Sequence, residues 1–414
     1  MERMAEKVPG SDEQSLQHFI SNSPWQGRAV IEQVARDADG HLGGDEDSAL
    51  YIDESGAVKK GKESVGVHRQ WLGQLGKVEN CQMGVFAALG CRENVSLIDF
   101  RLYLPKVWTE DKKRCEEAGV APEAMVFRRK HDLALEMVAN ARGQGIRFNW
   151  VGMDSLYGED PAFLRSLAKM GEVFVADVHK DQRIYLEDPD PKVPLAQSRK
   201  GRKSKRLKAQ KQAIRLDKWM AEQPQQSWQR LSLRDTTKGK LIVDILHKRV
   251  WLWDGKEPKA HKWHLIVRRE VGSPKKVKYS LSNAPADTET ERLAYMQGQR
   301  YWIERSFQDA KNQCGMTDYQ VRGWRGWHHH MTMVMLAMLF ILEERLLHEE
   351  TDPLLSCADV ANLLECFLPR RDITEEEVLR QMEIRHRKRQ ASIESAYRNQ
   401  KRDGLLDSLV NVTK

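Results

Sequence analysis

The six cysteines of the sequence (Cys81, Cys91, Cys115, Cys314, Cys357, Cys366) contain no CxxC pair. That argues against a structural zinc site and for reduced thiols in a cytoplasm. Long apolar runs are also missing. The longest, Met333 to Leu342, is about half of the roughly 20 residues a membrane helix needs, and it reads as a buried helix. No charged-then-apolar leader opens the chain, so no secretory signal is expected. No internal repeat is visible, which sets aside solenoid and propeller architectures. Of the 414 residues, 40% are hydrophobic and 31% charged, enough for two or three globular domains. The net charge of +7 is compatible with nucleic acid without requiring it.

The richest stretch is Gln299 to Gly315, QRYWIERSFQDAKNQCG. It has no proline, and its one glycine is at the end. Read as a helix, it places Arg300, Glu304, Phe307 and Lys311 on one face, because offsets of four, seven and eleven return to the same side at 3.6 residues per turn. A lone Glu on a helix is most simply a surface acid paired with a neighbour. Two acids upstream change that balance. ALYIDESG reads as a buried strand delivering Asp53 to its C-terminal end, and FNWVGMDSLYG as another delivering Asp154. A helix at Pro161–Met170 and a strand at Glu172–Val178 follow, an α/β pattern in which ligands favour the C-terminal strand ends. Strands are expected near Val67–Leu75, Asn80–Leu89 and Val95–Leu104, and helix starts at Asp12 and at Ser23 with Pro24.

Between residues 181 and 286 the character changes. Arg199 to Lys211 carries eight basic residues and no acid (Arg199, Lys200, Arg202, Lys203, Lys205, Arg206 and Lys208 among them), either a solvated loop or a strip that neutralises phosphates. Two β-rich runs follow, in which Trp251, Trp253 and Trp263 lie among Lys, Arg and His. Such tryptophans either fill one face of a small sheet or stack on an unpaired base. His328, His329 and His330 are consecutive and would fan out over different helix faces, poor geometry for one metal. A charged helix is expected over Thr374–Ser408, with Arg385–Arg389 facing DNA or water.

Three carboxylates on two strand ends and a helix suit Mg²⁺, a hard cation that takes oxygen ligands. Two such ions can hold the attacking and leaving oxygens of a displacement at phosphorus. YIDESG, WVGMDSLYG and the Arg300–x3–Glu304–x6–Lys311 spacing resemble the DDE-type insertion-sequence transposases. Within the insertion-sequence-four superfamily they are most like the seven-hundred-and-one-like branch, with its Tyr-Arg-Glu-Lys signature and β-rich insertion. SLQHFISNSPW, FRLYLP and YQVRGWRGWHHH extend the resemblance over nearly the whole chain.

The resemblance implies an α/β fold: an RNase H-like catalytic core interrupted by a β-rich insertion, with helical N- and C-terminal segments. It divides the chain at 1–45 (a shortened DNA-binding region), 46–180 (first part of the core), 181–286 (basic loop and insertion), 287–350 (last part of the core) and 351–414. It makes Asp53, Asp154 and Glu304 the catalytic metal ligands for two Mg²⁺ ions, with Mn²⁺ able to substitute, and Arg300 and Lys311 the phosphate-positioning residues. It implies strand cleavage at element ends and strand transfer into target DNA, by a homodimer on double-stranded DNA, with no membrane involved. The signature tyrosine would stand three residues before Arg300, where this chain has Gln297; Tyr295 and Tyr301 are out of register and that role is unassigned. Two other activities use the same residues or the same fold: an inactive DNA-binding remnant or regulator, and a metal-dependent nuclease without strand transfer.

Overall fold

A computed structural model describes residues 2–194, 206–236 and 239–402. The chain forms two compact units. One comprises residues 24–361, the other residues 1–23 with 362–414.

The smaller unit contains α1 (Glu2–Lys7), α2 (Glu13–Ser21) and most of the C-terminal helical segment. Asp12 caps α2 as its sequence suggests, accepting from the Ser15 N–H at 2.9 Å. Ser23 does not start a helix. Its N–H closes α2 by bonding to His18 O at 2.8 Å. The next helix, α3 (Gly27–Leu42), begins after Trp25, whose ring stacks on His329 at 3.9 Å and keeps that stretch extended.

In the larger unit, β1 (Ala49–Val58) pairs antiparallel with β3 (Lys77–Cys91), which also pairs with β2 (His68–Leu72) and β4 (Asn94–Leu102). Helices α4 (Lys106–Thr109), α5 (Lys112–Glu117) and α6 (Lys130–Gly143) lead to β5 (Trp150–Met153), which lies parallel to β1. After α7 (Ser155–Gly158) and α8 (Pro161–Lys169), β6 (Phe174–Val178) lies parallel to β5. The order β4-β3-β1-β5-β6 gives a mixed sheet consistent with an RNase H-like fold. A short ladder of β7 (Arg183–Ile184) and β8 (Ile214–Arg215) precedes α9 (Leu216–Ala221).

The β-rich region does not form a separate sheet. Strands β9 (Gln229–Thr236), β10 (Gly239–Leu252), β11 (His261–Glu270) and β12 (Ser273–Ser282) are antiparallel neighbours, and β12 pairs with β6. One sheet of ten strands results.

Helices α10 (Thr290–Gln299), α11 (Tyr301–Gln313), α12 (Trp324–Leu347), α13 (Cys357–Phe367) and α14 (Glu375–Arg402) follow. On one face of the sheet Phe86 and Phe100 meet Phe307 of α11 and Trp327 of α12 edge to face. Arg101, the next residue on β4, turns to the other face and pairs with Glu136 of α6 at 2.9 Å, as strand alternation requires. The apolar run Met333–Leu342 lies inside α12, and no described helix is long and apolar enough to cross a membrane.

At Gly158 an added Cβ would lie 1.9 Å from the backbone oxygen of Asp177 on β6. Only glycine lets α7, which begins at Asp154's successor, approach that strand. Gly158→Ala is expected to destabilise the protein by about 2 kcal/mol or more through forced backbone movement. Urea unfolding measures this, and an unchanged midpoint would contradict the packing.

Candidate active site

The parallel strands align three aspartates. Ile52 pairs with Met153, and Met153 with Ala176. The residues that follow are Asp53, Asp154 and Asp177, so three carboxylates stand abreast on β1, at the end of β5 and on β6. The expectation that Asp53 ends its strand needs correction: β1 continues to Val58 along β3. What stops at Ile52 is the pairing with β5, which opens the sheet beside Asp53.

Backbone donors hold two of the carboxylates. The Glu54 N–H donates to Asp53 Oδ1 at 2.7 Å, and the Leu156 N–H to Asp154 Oδ1 at 3.0 Å, the latter as the cap of α7. Asp177 accepts from the Ser280 hydroxyl at 2.5 Å, directly across the β6–β12 pair.

Arg300 closes the site from above. Helical hydrogen bonding pauses there, between α10 and α11, but its backbone stays helical at φ −56 and ψ −20, so the helical offsets hold. Its guanidinium donates to Asp53 at 3.1 Å, to Asp177 at 3.3 Å and to Glu304 at 2.5 Å. Burial alone would lower the Arg300 pKa, but Asp177, Asp53, Glu304 and Asp154 together raise it above its ordinary value. Burial raises the Asp154 carboxyl, and Arg300 opposes that rise. Glu304 has half its side chain exposed. Lys311 reaches Gln74 in the β2–β3 turn at 3.0 Å, and burial lowers its pKa.

These groups line a cleft of about 910 Å³ that includes Asp53, Glu54, Asp154, Arg300, Glu304 and Lys311. The sequence-predicted set Asp53, Asp154, Glu304, Arg300 and Lys311 is thus gathered in one place. Among the described residues, no three His, Cys, Asp or Glu side chains close on a single point as a finished metal cage; Arg300 spans Asp53 and Glu304 instead.

Three residues were missed. Asp177 gives a similar signal, an acid next to the end of an apolar strand (EVFVADV). Glu54, paired with Lys130 at 2.5 Å, follows Asp53 directly. Trp71, 58% exposed, lies on the cleft rim. Gln297 is buried, and its amide donates to the Ser280 hydroxyl at 2.8 Å, behind Asp177 rather than into the cleft.

Other candidates lie elsewhere. Trp263 is 8% exposed and packs edge-on against Phe174, so its ring is committed to the core rather than to a base. Trp253 is half-buried and donates to Glu257 O at 2.7 Å. Trp251 is half-buried beside Lys262. Arg206 and Lys208 are exposed, while Arg199, Lys200, Arg202, Lys203 and Lys205 lie outside the described residues. The three histidines diverge as expected: His328 meets Trp324 O, His329 Trp25 O and His330 Gly315 O. Of Arg385–Arg389, Arg385 pairs with Glu6 and Lys388 with Glu13 within the smaller unit.

A family model described as DDE superfamily endonuclease matches residues 1–240, more than half of the sequence. The chain belongs to that family. The match includes Asp53, Asp154 and Asp177 and ends before Arg300 and Glu304. The chain is also similar to a probable transposase for insertion sequence element IS701 from Microchaete diplosiphon, with 24% identity over 322 residues, covering 76% of this chain and 70% of that protein.

Burial pushes the Asp53 carboxyl up to about 7; Arg300 and the Glu54 N–H oppose the rise, and Asp154 and Glu304 add to it. The folded protein therefore holds this proton more tightly than the unfolded chain. The stability it contributes is full below the ordinary value of 3.8 and is lost as pH rises through about 7. In chelator, the unfolding free energy should fall across that window, by up to about 1.4 kcal/mol per pH unit for one proton. Asp53→Asn should lack this component in urea unfolding at several pH values. Identical pH profiles for the two proteins would contradict the assignment.

Proposed function

We propose that this DDE endonuclease is the transposase of an insertion sequence, cutting DNA strands at the element's ends and joining them to target DNA. The observation that carries the reading is the row of aspartates on parallel strands faced by Glu304 and Arg300 across an open cleft. The strand order supports an RNase H-like core, with β9–β12 as the insertion before the last acid.

Asp53, Asp154 and Glu304 are the residues that would hold two Mg²⁺ or Mn²⁺ ions. Their oxygens are the hard donors such ions take, and a buried carboxylate with a raised pKa is one a cation would favour in its ionised form. When bound, the ions polarise the phosphodiester and activate the attacking water or 3′-hydroxyl.

The chain's own residues prepare the rest. The Glu54 and Leu156 N–H groups fix one oxygen each of Asp53 and Asp154. Asp177 holds the Nε edge of Arg300, so that its other nitrogens can turn from Asp53 and Glu304 to a phosphate oxygen. Lys311 adds a positive charge at the far wall, and Trp71 offers a face on which a base can stack. The basic run Arg199–Lys211 supplies phosphate contacts along double-stranded DNA, at terminal inverted repeats and target, bound by a homodimer.

Glu304→Gln keeps size and helix propensity but loses the charge. It should abolish Mg²⁺-dependent nicking and joining of element-end DNA, by about 10³-fold or more, as for groups that act as a unit. DNA binding should persist, and stability should change by only a few tenths of a kcal/mol. Near-normal nicking by the folded variant would sink the three-acid site. A wild-type protein that nicks without joining would reduce the reading to a nuclease.

A further inference from the structure

Beside the carboxylates the sheet carries a second charged surface of opposite sign. Arg268 of β11 pairs directly with Lys278 of β12, and Ser280 of β12 with Asp177 of β6. Side chains alternate along a strand, so Arg268, Lys278, Ser280 and Asp177 share one face. Arg300 lies over that same face, as its contact with Asp177 requires. Arg234 of β9 joins the group. Its guanidinium lies 3.7 Å over the ring of Tyr301, the residue after Arg300, and its charge acts on Arg268.

Arg268 stands out. It is 7% exposed, yet among the described residues its guanidinium donates no hydrogen bond. The carboxylates that act on it, Asp177 and Glu270, are opposed by Arg234 and Arg300. Nε of Arg234 is likewise buried without a partner. The Lys278 ammonium lies 4.0 Å from Asp177, with 44% of its side chain exposed. Gly298 of α10 lies next to the Arg268 tip; a Cβ there would sit 3.8 Å from Arg268 Nη1, an ordinary contact distance. An unpaired charge is costly to bury. Two guanidinium groups that donate no hydrogen bond among the described residues, one of them stacked on Tyr301, and a half-exposed ammonium share one face and offer fork-shaped donors suited to phosphate oxygens.

We propose that Arg268, Lys278 and Arg234 form a phosphate subsite, which takes a DNA backbone phosphodiester flanking the one positioned at the carboxylates. The proposal rests on the DNA-cleaving reading above. It gives strands β9, β11 and β12 a task that the buried Trp263 cannot perform. A row of carboxylates repels the DNA backbone, and cations on the next strands of the same sheet draw that backbone across it.

The test compares wild-type protein with Arg268→Met and Lys278→Met, using a short DNA duplex in chelator so that no cleavage intervenes. Each variant should flatten the slope of log affinity against log salt by about 0.9, the value for one duplex phosphate contact. The double variant should flatten it no further, since both groups serve one phosphate. Arg268→Met should also raise the melting temperature of the free protein by a few degrees, because it removes an unpaired buried charge while keeping an apolar stem. A residue kept for structure would lower it. Unchanged slopes in both variants overturn the subsite, whatever the melting temperatures do. If Arg268→Met does not fold, the slope of Lys278→Met decides alone. A wild-type protein with no affinity for the duplex overturns the DNA-cleaving reading and the subsite together. Wild-type binding with a steep slope that neither variant alters overturns the subsite and leaves that reading standing.

Discussion

Parallel strands in register that carry aspartates side by side crowd like charges into a place where water screens them poorly. The Arg300 guanidinium meets that constraint by bonding to Asp53, Asp177 and Glu304 at once. Breaking a buried ion pair by removing one partner costs more than the pair contributes, because the other charge is left without compensation. The position of Arg300 therefore ties β1, β6 and α11 together. It also shapes the electrostatics of the cleft: the carboxylates repel one another, and Arg300 is hydrogen-bonded to three of them.

That contact reaches the β-rich strands too. Asp177 is held by Ser280 of β12, and Ser280 by the buried amide of Gln297 on α10. Because β12 pairs with β6, the strands that follow the core in sequence are continuous with it in the sheet. A displacement of β12 would move Ser280, then Asp177, then the guanidinium above the carboxylates. Gln297, at the position where the resemblance would put a tyrosine, belongs to this supporting chain and is not among the residues lining the cleft.

Much of the site was legible because its chemistry is written in short local patterns. Apolar runs before Asp53 and Asp154 reported strands, with the strand's exit correct at Asp154 and wrong at Asp53, and the helical offsets of Arg300, Glu304 and Lys311 reported a shared face. Register was not legible. That Asp53, Asp154 and Asp177 stand abreast follows from the registers of two parallel pairs, β1 with β5 and β5 with β6, which no local pattern encodes. Asp177 was overlooked for that reason, although its strand carries a similar signal. The tryptophans were ambiguous because basic and aromatic alternation looks the same whether a ring fills a core or awaits a base; Phe174, distant in sequence, claims Trp263. The β-rich run was read as strands but not as a continuation of the main sheet, since edge pairing with β6 leaves no trace in the run itself. Ser23 and Pro24 gave a good helix-start pattern that the Trp25–His329 stack overrode.

The central proposal is that Asp53, Asp154 and Glu304, beside Arg300, together hold the two divalent ions. Iron-mediated backbone scission tests it most directly: Fe²⁺ is bound in place of Mg²⁺, and ascorbate with peroxide then generates radicals that cut the chain next to the ion. The account predicts cuts beside residues 53, 154 and 304 in the same protein, suppressed together by excess Mg²⁺ and by Asp53→Asn. Cuts confined to other segments, or cuts at these three places that Mg²⁺ and Asp53→Asn do not suppress together, would contradict it.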